Sequence, residues 1–258
     1  GRPTWGMSIG AISNPSVSLD EIFSYLNHAD KPCLVAFDEF QQITRYPDAA
    51  NVEAALRTYI QRCNNAHFVF SGSQRHLMGA IFTSPSRPFY QSVNIINLPP
   101  ISLEKYTEFV VEKFEEAGKH IEKEVVEMIY ERFQGITSYM QRIMNLLFTY
   151  TPIGATCKMQ MVDPCINELI DFSSDTYESL LYQMPEKQRE VFLAIAKEGD
   201  VKNISSSTFV RKHSLVSASS VLSAVKGLLE KDFITQDKNI YSVYDKFFTL
   251  WLKRKNIL

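Results

Sequence analysis

The sequence predicts an α/β chain: a parallel sheet with covering helices, then an all-helical segment, then a C-terminal winged helix-turn-helix. Three observations carry this. Cys33-Leu-Val-Ala-Phe37 and His67-Phe-Val-Phe70 are short continuous apolar runs on either side of a helical pattern. Strands of a parallel sheet buried on both faces read this way. Residues 101–184 repeat apolar positions at helical spacing. Residues 185–245 read helix, helix, helix, hairpin, the order of a winged helix-turn-helix.

Each element has its own signal. Ser18-Leu-Asp-Glu21 is a capping-box pattern, and Ile22, Phe23 and Leu26 follow it at helical spacing. Asn51–Cys63 places Val52, Ala55, Leu56, Tyr59 and Ile60 on one helical stripe. Val93–Leu98 is a third candidate strand, closed by Pro99-Pro100. Ser102 caps a helix through Ala117, and Lys123–Phe133 and Thr137–Tyr150 are two more, the last with Met140 and Met144 as core filler. Gly154-Ala-Thr marks a loop, and Val162–Gln183 is helical with a break at Ser173-Ser174. Pro185 sits at a helix start, followed by Val191, Phe192, Ile195 and Ala196. Ser207–His213 is a short helix. Ser217–Lys231 carries Val221, Leu222, Val225, Leu228 and Leu229 on one face. Two short strands then flank Asp237-Lys-Asn239, a turn signal. Phe247, Phe248 and Trp251 are expected in packing. The domains are accordingly drawn at 1–100, 101–184 and 185–258.

Composition excludes several classes. At 258 residues, 45% hydrophobic and 22% charged, the chain can bury a sizeable core. No apolar run reaches membrane-span length. Four scattered cysteines without a CxxC pair exclude a disulfide scaffold, and five isolated histidines speak against structural zinc. A cytoplasmic location is expected. The net charge of −2 hides an asymmetry: residues 185–258 hold 13 Lys+Arg against 8 Asp+Glu, and residues 1–184 hold 14 against 21. The C-terminal module therefore suits an acidic partner, or the charge is ordinary scatter.

The sharpest feature is Leu34-Val-Ala-Phe-Asp38-Glu39. In an open parallel sheet, ligands sit beyond the carboxyl ends of the strands. Adjacent carboxylates there either bind a metal or cap the next element. The next apolar strand ends in Ser71-Gly-Ser73-Gln-Arg75, which taken alone reads as a strand-to-loop turn.

Together these residues resemble P-loop ATPases. Asp38-Glu-Phe-Gln-Gln-Ile43 resembles a Walker B motif, Phe70-Ser-Gly-Ser73 a sensor, and Arg87-Pro-Phe-Tyr-Gln91 a later family signature. With Gly135-Ile-Thr137 and Tyr241–Leu252, the pattern resembles the archaeal-type ATPase family, a STAND-like branch of AAA+ proteins. The resemblance implies a P-loop NTPase sheet, a helical lid and a winged helix, with ATP and Mg²⁺ as cofactors. It implies that Asp38 holds Mg²⁺ through a water, that Glu39 polarises the attacking water, and that Ser71 or Ser73 senses it. Arg75, Arg87 and Gly135 would meet the nucleotide. The family's Pro-Leu-Tyr-Gly-Arg has Gln91 and Ser92 at its last two places here, and Thr137 stands where the lid element has Pro.

A Walker A run, Gly-x-x-x-x-Gly-Lys-[Ser/Thr], does not occur; Gly6 and Gly10 have no Lys after them. The chain begins at Gly1, without Met. The expectation is that it starts downstream of the Walker A strand, that it binds ATP weakly or not at all, and that a partner chain, a self-associating copy or a rearranged sheet fills the gap. The intact protein is expected to be a nucleotide-dependent conformational switch.

An alternative is a non-catalytic regulator whose winged helix binds DNA. Arg211 and Lys212 would touch phosphate, Ser219, Ser220, Ser223 and Lys226 would line the recognition helix, and Lys238 would sit on the wing. No membrane contact is expected.

Overall fold

The computed structural model describes residues 15–237 and 239–258, with the side chains of residues 15–17, 75 and 76 outside the description. Gly1, Gly6, Gly10 and Lys238 therefore lie outside the described residues. The chain divides into a first unit that ends at Ile96 and a second, Asn97–Leu258.

In the first unit the order is α1 (Pro15–His28), β1 (Cys33–Phe37), a 3₁₀ helix (Phe40–Arg45), α2 (Ala49–Arg62), β2 (Ala66–Phe70) and α3 (Arg75–Thr83). β1 and β2 pair in parallel, from Cys33 opposite Ala66 to Phe37 opposite Phe70. Four differences from the sequence reading stand out. First, α1 starts at Pro15, so Ser18 lies inside the helix rather than at its cap; proline suits a first helical turn. Second, among the described residues the strands are not covered on both faces. Val35, Phe37, Phe68 and Phe70 pack on the core, while Leu34 is 74% exposed and Val69 48%. An apolar run does not by itself distinguish a covered face from an open one.

Third, Val93–Leu98 forms no strand. Ile95, Ile96 and Leu98 are exposed, and the prolines that follow have no N–H for a ladder. Fourth, the buried stripe of α2 runs through Glu53 and Leu56, not Val52 and Ala55. Arg87 lies across Glu53, and this partner lets a carboxylate take a core position.

The core of this unit is aromatic. Phe40 meets Phe70 at 4.5 Å between ring centroids and Phe89 edge-on at 5.4 Å; Phe70 meets Phe82 at 5.5 Å. Such tilted and edge-on pairs contribute roughly 0.5–1.5 kcal/mol each beyond their area. They form a plug directly behind the carboxyl ends of β1 and β2.

The second unit begins with α4 (Leu103–Glu116), whose N-cap Ser102 accepts from Lys105 N. Then come β3 (His120–Ile121), α5 (Lys123–Arg132), α6 (Thr137–Tyr150), β4 (Thr156–Cys157), a 3₁₀ turn, α7 (Val162–Phe172) and α8 (Ser174–Gln183). β3 and β4 form a two-residue parallel pair that periodicity did not announce. α9 (Glu186–Glu198), β5 (Val201–Lys202), α10 (Ser207–Lys212), α11 (Ala218–Glu230), β6 (Ile234–Asp237), β7 (Ile240–Val243) and α12 (Lys246–Arg254) complete it. β5, β7 and β6 form one antiparallel sheet in that order. In α11 the buried stripe is Val221, Ala224, Val225 and Leu228; Leu222, expected on it, is 50% exposed. One helical turn of 3.6 residues puts Leu222 beside the stripe rather than on it.

One continuous core runs from α4 to α12. Phe247 packs on Phe133 at 5.5 Å and Tyr139 at 5.1 Å, and Phe248 stacks on Tyr177 at 4.6 Å and meets Phe192 at 5.0 Å. Trp251 Nε1 donates to Ser174 Oγ (2.8 Å). Asp245 anchors this helix. Its Oδ1 accepts from Phe247 N (2.8 Å) and Phe248 N (3.4 Å), and its Oδ2 accepts from the Tyr177 hydroxyl (2.8 Å). Asp245→Ala should therefore lower stability by about 1–3 kcal/mol, read from the urea midpoint, and Asp245→Asn, which keeps an acceptor, should lose less.

Candidate functional site

The site is built at the carboxyl ends of β1 and β2. Beyond the ladder the two chains stay joined: Ser71 N donates to Phe37 O and Phe40 N to Ser71 O, both at 2.9 Å. This holds Asp38-Glu39 opposite Ser71-Gly72-Ser73. Ser71 Oγ donates to Asp38 Oδ1 (2.7 Å), and Ser73 Oγ donates to Glu39 Oε2 (2.9 Å). Asp38 Oδ1 also accepts from Glu39 N (3.0 Å). Both carboxylates are exposed, so neither meets the desolvation cost of a buried ion.

Glu39 takes the left-handed backbone region (φ 51°), which turns the chain sharply from the strand into the 3₁₀ helix. A non-glycine residue there is uncommon and costs about 1 kcal/mol.

Gln41 is a participant that the sequence reading missed. It is fully buried, and its Nε2 donates to Glu39 Oε2 and lies 3.4 Å from Ser73 Oγ. Its Oε1 is buried without a hydrogen-bond partner among the described residues. Gly72 lets this happen: a Cβ there would lie 2.3 Å from Gln41 Oε1 and 2.6 Å from Met78 Sδ. Glu39 Oε2 is thus gripped from below by an amide and from the side by a hydroxyl. A buried glutamine leaves no periodic signature; only its adjacency to Asp38-Glu39 hinted at a role.

The other predicted positions lie apart from this quartet. Arg75 opens α3, and its side chain is outside the described residues. Arg87 Nη2 pairs with Glu53 Oε1 at 2.5 Å, with Glu53 fully buried. Gln91 has φ 50°, a left-handed conformation at the place where the resembled family carries glycine. Gly135 belongs to the second unit, after α5, at φ 69°; a Cβ would come within 2.9 Å of Pro100 and Tyr130. On the winged helix, Ser219, Ser223 and Lys226 are exposed and Ser220 is half-buried. Lys212 Nζ is paired with Glu198 (2.5 Å), which also holds His213 (2.8 Å), and Arg211 Nε donates to Ser207 O (3.2 Å). Lys226 lies 4.0 Å from Glu230.

Among the described residues no group of three or more His, Cys, Asp or Glu is placed to hold a metal. A two-carboxylate set does fit Mg²⁺, a hard cation that keeps several waters and takes its remaining ligands from phosphates. The phosphate chain of a nucleotide is a different matter. The glycine-rich loop with its Lys that cradles phosphates is absent from the sequence, so the residues present do not fit that group by themselves. No helix among the described residues is long and apolar enough to cross a membrane.

The buried Glu53 has its own consequence. Burial is the larger influence and pushes its carboxyl above the ordinary pKa; Arg87 opposes it by charge and hydrogen bond. A carboxyl raised in the folded state favours folding below the ordinary carboxylate range, and that contribution is lost as pH rises through the raised value. Arg87→Ala removes the opposing influence. It should cost about 3 kcal/mol at pH 7, with part of the loss recovered as pH is lowered to about 5, seen in thermal melts across that range.

The family described as a probable winged helix domain matches residues 175–254. Among solved structures, the chain is similar to the Walker-type ATPase PABY2304 of Pyrococcus abyssi, with TM-score 0.64 and 16% identity, covering 93% of this chain and 68% of that one. It is also similar to the RuvB Holliday junction branch migration motor of Thermotoga maritima (TM-score 0.43, 17% identity, 93% and 74% covered) and to Cdc6p of Pyrobaculum aerophilum (0.38, 12%, 99% and 73%). No curated protein matches the sequence. The first likeness speaks for fold: a P-loop ATPase-type α/β arrangement with a C-terminal winged helix.

Proposed function

We propose that the first unit is the carboxylate half of an ATP-hydrolysing site, in a STAND-like ATPase that works as a nucleotide-dependent conformational switch. One observation carries this reading. Two adjacent parallel strands end in Asp38-Glu39 and Ser71-Gly72-Ser73, and each carboxylate is engaged by a hydroxyl from the other strand. Asp38 would hold Mg²⁺ through a water. Glu39 would orient and polarise a water, with Gln41 and Ser73 fixing the carboxylate. The phosphate cradle is not among this chain's residues, so the chain by itself is proposed to bind ATP weakly or not at all. The fold shared with a Walker-type ATPase supports the assignment.

The DNA-binding alternative draws less support. The basic residues before α11 are already engaged, Lys212 by Glu198 and Arg211 by Ser207 O. The helix's outward face includes Leu222, and Val216 just ahead of it is 70% exposed. Apolar side chains there suit a protein surface better than a phosphate backbone.

Two measurements test the proposal. Titration calorimetry of this chain with ATP–Mg²⁺ should show no binding at micromolar concentrations; a micromolar Kd would sink the view that the cradle is lacking. In a form that hydrolyses ATP, Glu39→Gln should retain ATP binding and slow turnover by roughly 10²-fold or more. Unchanged turnover would remove the role given to Glu39.

A further inference from the structure

The helix α4 separates two grooves of opposite character. On the side of α5, the groove is walled by Glu104, Glu108, Glu112, Glu115 and Glu127, with Lys123 as its one cation. On the side of α6, a groove of about 650 Å³ has an apolar floor that includes Val110, Phe114 and Met144, and it contains no carboxylate. Its charged residues are Lys105 and Lys113. Between them on the same line of the helix stands Phe109, 54% exposed, with Lys113 Nζ 5.9 Å from its ring centre. Ile101 at the groove's end is 48% exposed.

We infer that the α4–α6 groove receives an acidic amphipathic helix of a partner protein, apolar side chains on the floor and carboxylates on Lys105 and Lys113. The spacing selects this occupant. Residues 105, 109 and 113 are four apart, so the two ammonium groups spring from points about 12 Å apart along the axis, with an aromatic ring between them. A docked helix offers the complement: apolar residues at i, i+3, i+4 and i+7, and carboxylates about two turns apart along one flank. Lys113 is paired with Glu116 at 2.7 Å, but this pair joins two exposed side chains and is weak enough to exchange. Nucleic acid is disfavoured because the glutamates on the other side of α4 repel phosphate, and a basic helix is disfavoured by the lysines. Exposed aromatic area in a concave apolar site, flanked by charges of one sign, is what a protein-docking surface presents.

The test uses the whole chain and a fluorescent five-turn peptide with Leu at the four apolar positions and Glu on the flanks. Its counterpart carries Lys in place of every Glu. Anisotropy should give the acidic peptide a Kd of roughly micromolar order, at least about 10-fold tighter than the lysine peptide. Phe109→Asp should abolish binding, and its folding is checked by circular dichroism, since Phe109 is more than half exposed. Lys105→Glu with Lys113→Glu should invert the preference between the two peptides. Equal affinity for both peptides, no binding of either, or binding that survives Phe109→Asp would overturn the proposal. So would self-association of the chain by sedimentation that Phe109→Asp abolishes, because a second copy would then be the occupant.

Discussion

The candidate site depends on the parallel register that sets Phe37 opposite Phe70. Side chains alternate across a strand, so a slip of one residue would send every inward ring outward and every outward group inward. In the observed register the rings of Phe37, Phe40, Phe70, Phe82 and Phe89 close into one cluster. The residues just past that cluster are then committed. They cannot join the apolar plug, and they are joined to each other by the backbone bonds between Phe37, Ser71 and Phe40. Asp38 meets Ser71, and Glu39 meets Ser73, because the plug stops where it does.

The first unit handles its carboxylates in two ways. Asp38 and Glu39 remain exposed and accept hydrogen bonds from hydroxyls and, at Glu39, from an amide. Glu53 is taken fully into the core and paired there with Arg87. The guanidinium of Arg87 is thereby committed to a structural pair, and an incoming anion would have to compete with Glu53 for it. Exposed and buried acids of the same small unit thus find different kinds of partner.

In the second unit, the helical segment and the winged helix share one apolar interior, and α12 is the element that joins them. Phe247 and Leu252 are fully buried, with Phe248 and Trp251 nearly so. The Tyr139 hydroxyl accepts from Lys246 N and donates to Tyr244 O, both at 3.1 Å. Burial pushes the Tyr139 phenol up to about 12, so it stays a neutral donor and acceptor at this junction. The winged helix therefore has one side built into the unit's own core. The outward face of α11, with Leu222 exposed, lies outside that shared core.

Local sequence determined much of this molecule. The two apolar runs became strands close to the residues that read as strands, Ser102 became the helix cap it was read as, and the acid pair was legible at a strand end. The reason is that periodicity and capping are written within a turn or two of chain. What the tertiary structure decided lay beyond that range. Glu53 replaced Val52 on the buried side of α2 because an arginine 34 residues away covers it. Gln41 became the support of Glu39 because Gly72, in the loop after β2, leaves room for it. Val93–Leu98 stayed irregular because an apolar segment becomes a strand only where a neighbouring edge accepts it. The sequence by itself fixes which segments can be helix or strand and where the carboxylates fall; which partner each polar group finds is settled only when distant segments meet, because that choice turns on desolvation and contact rather than on local pattern.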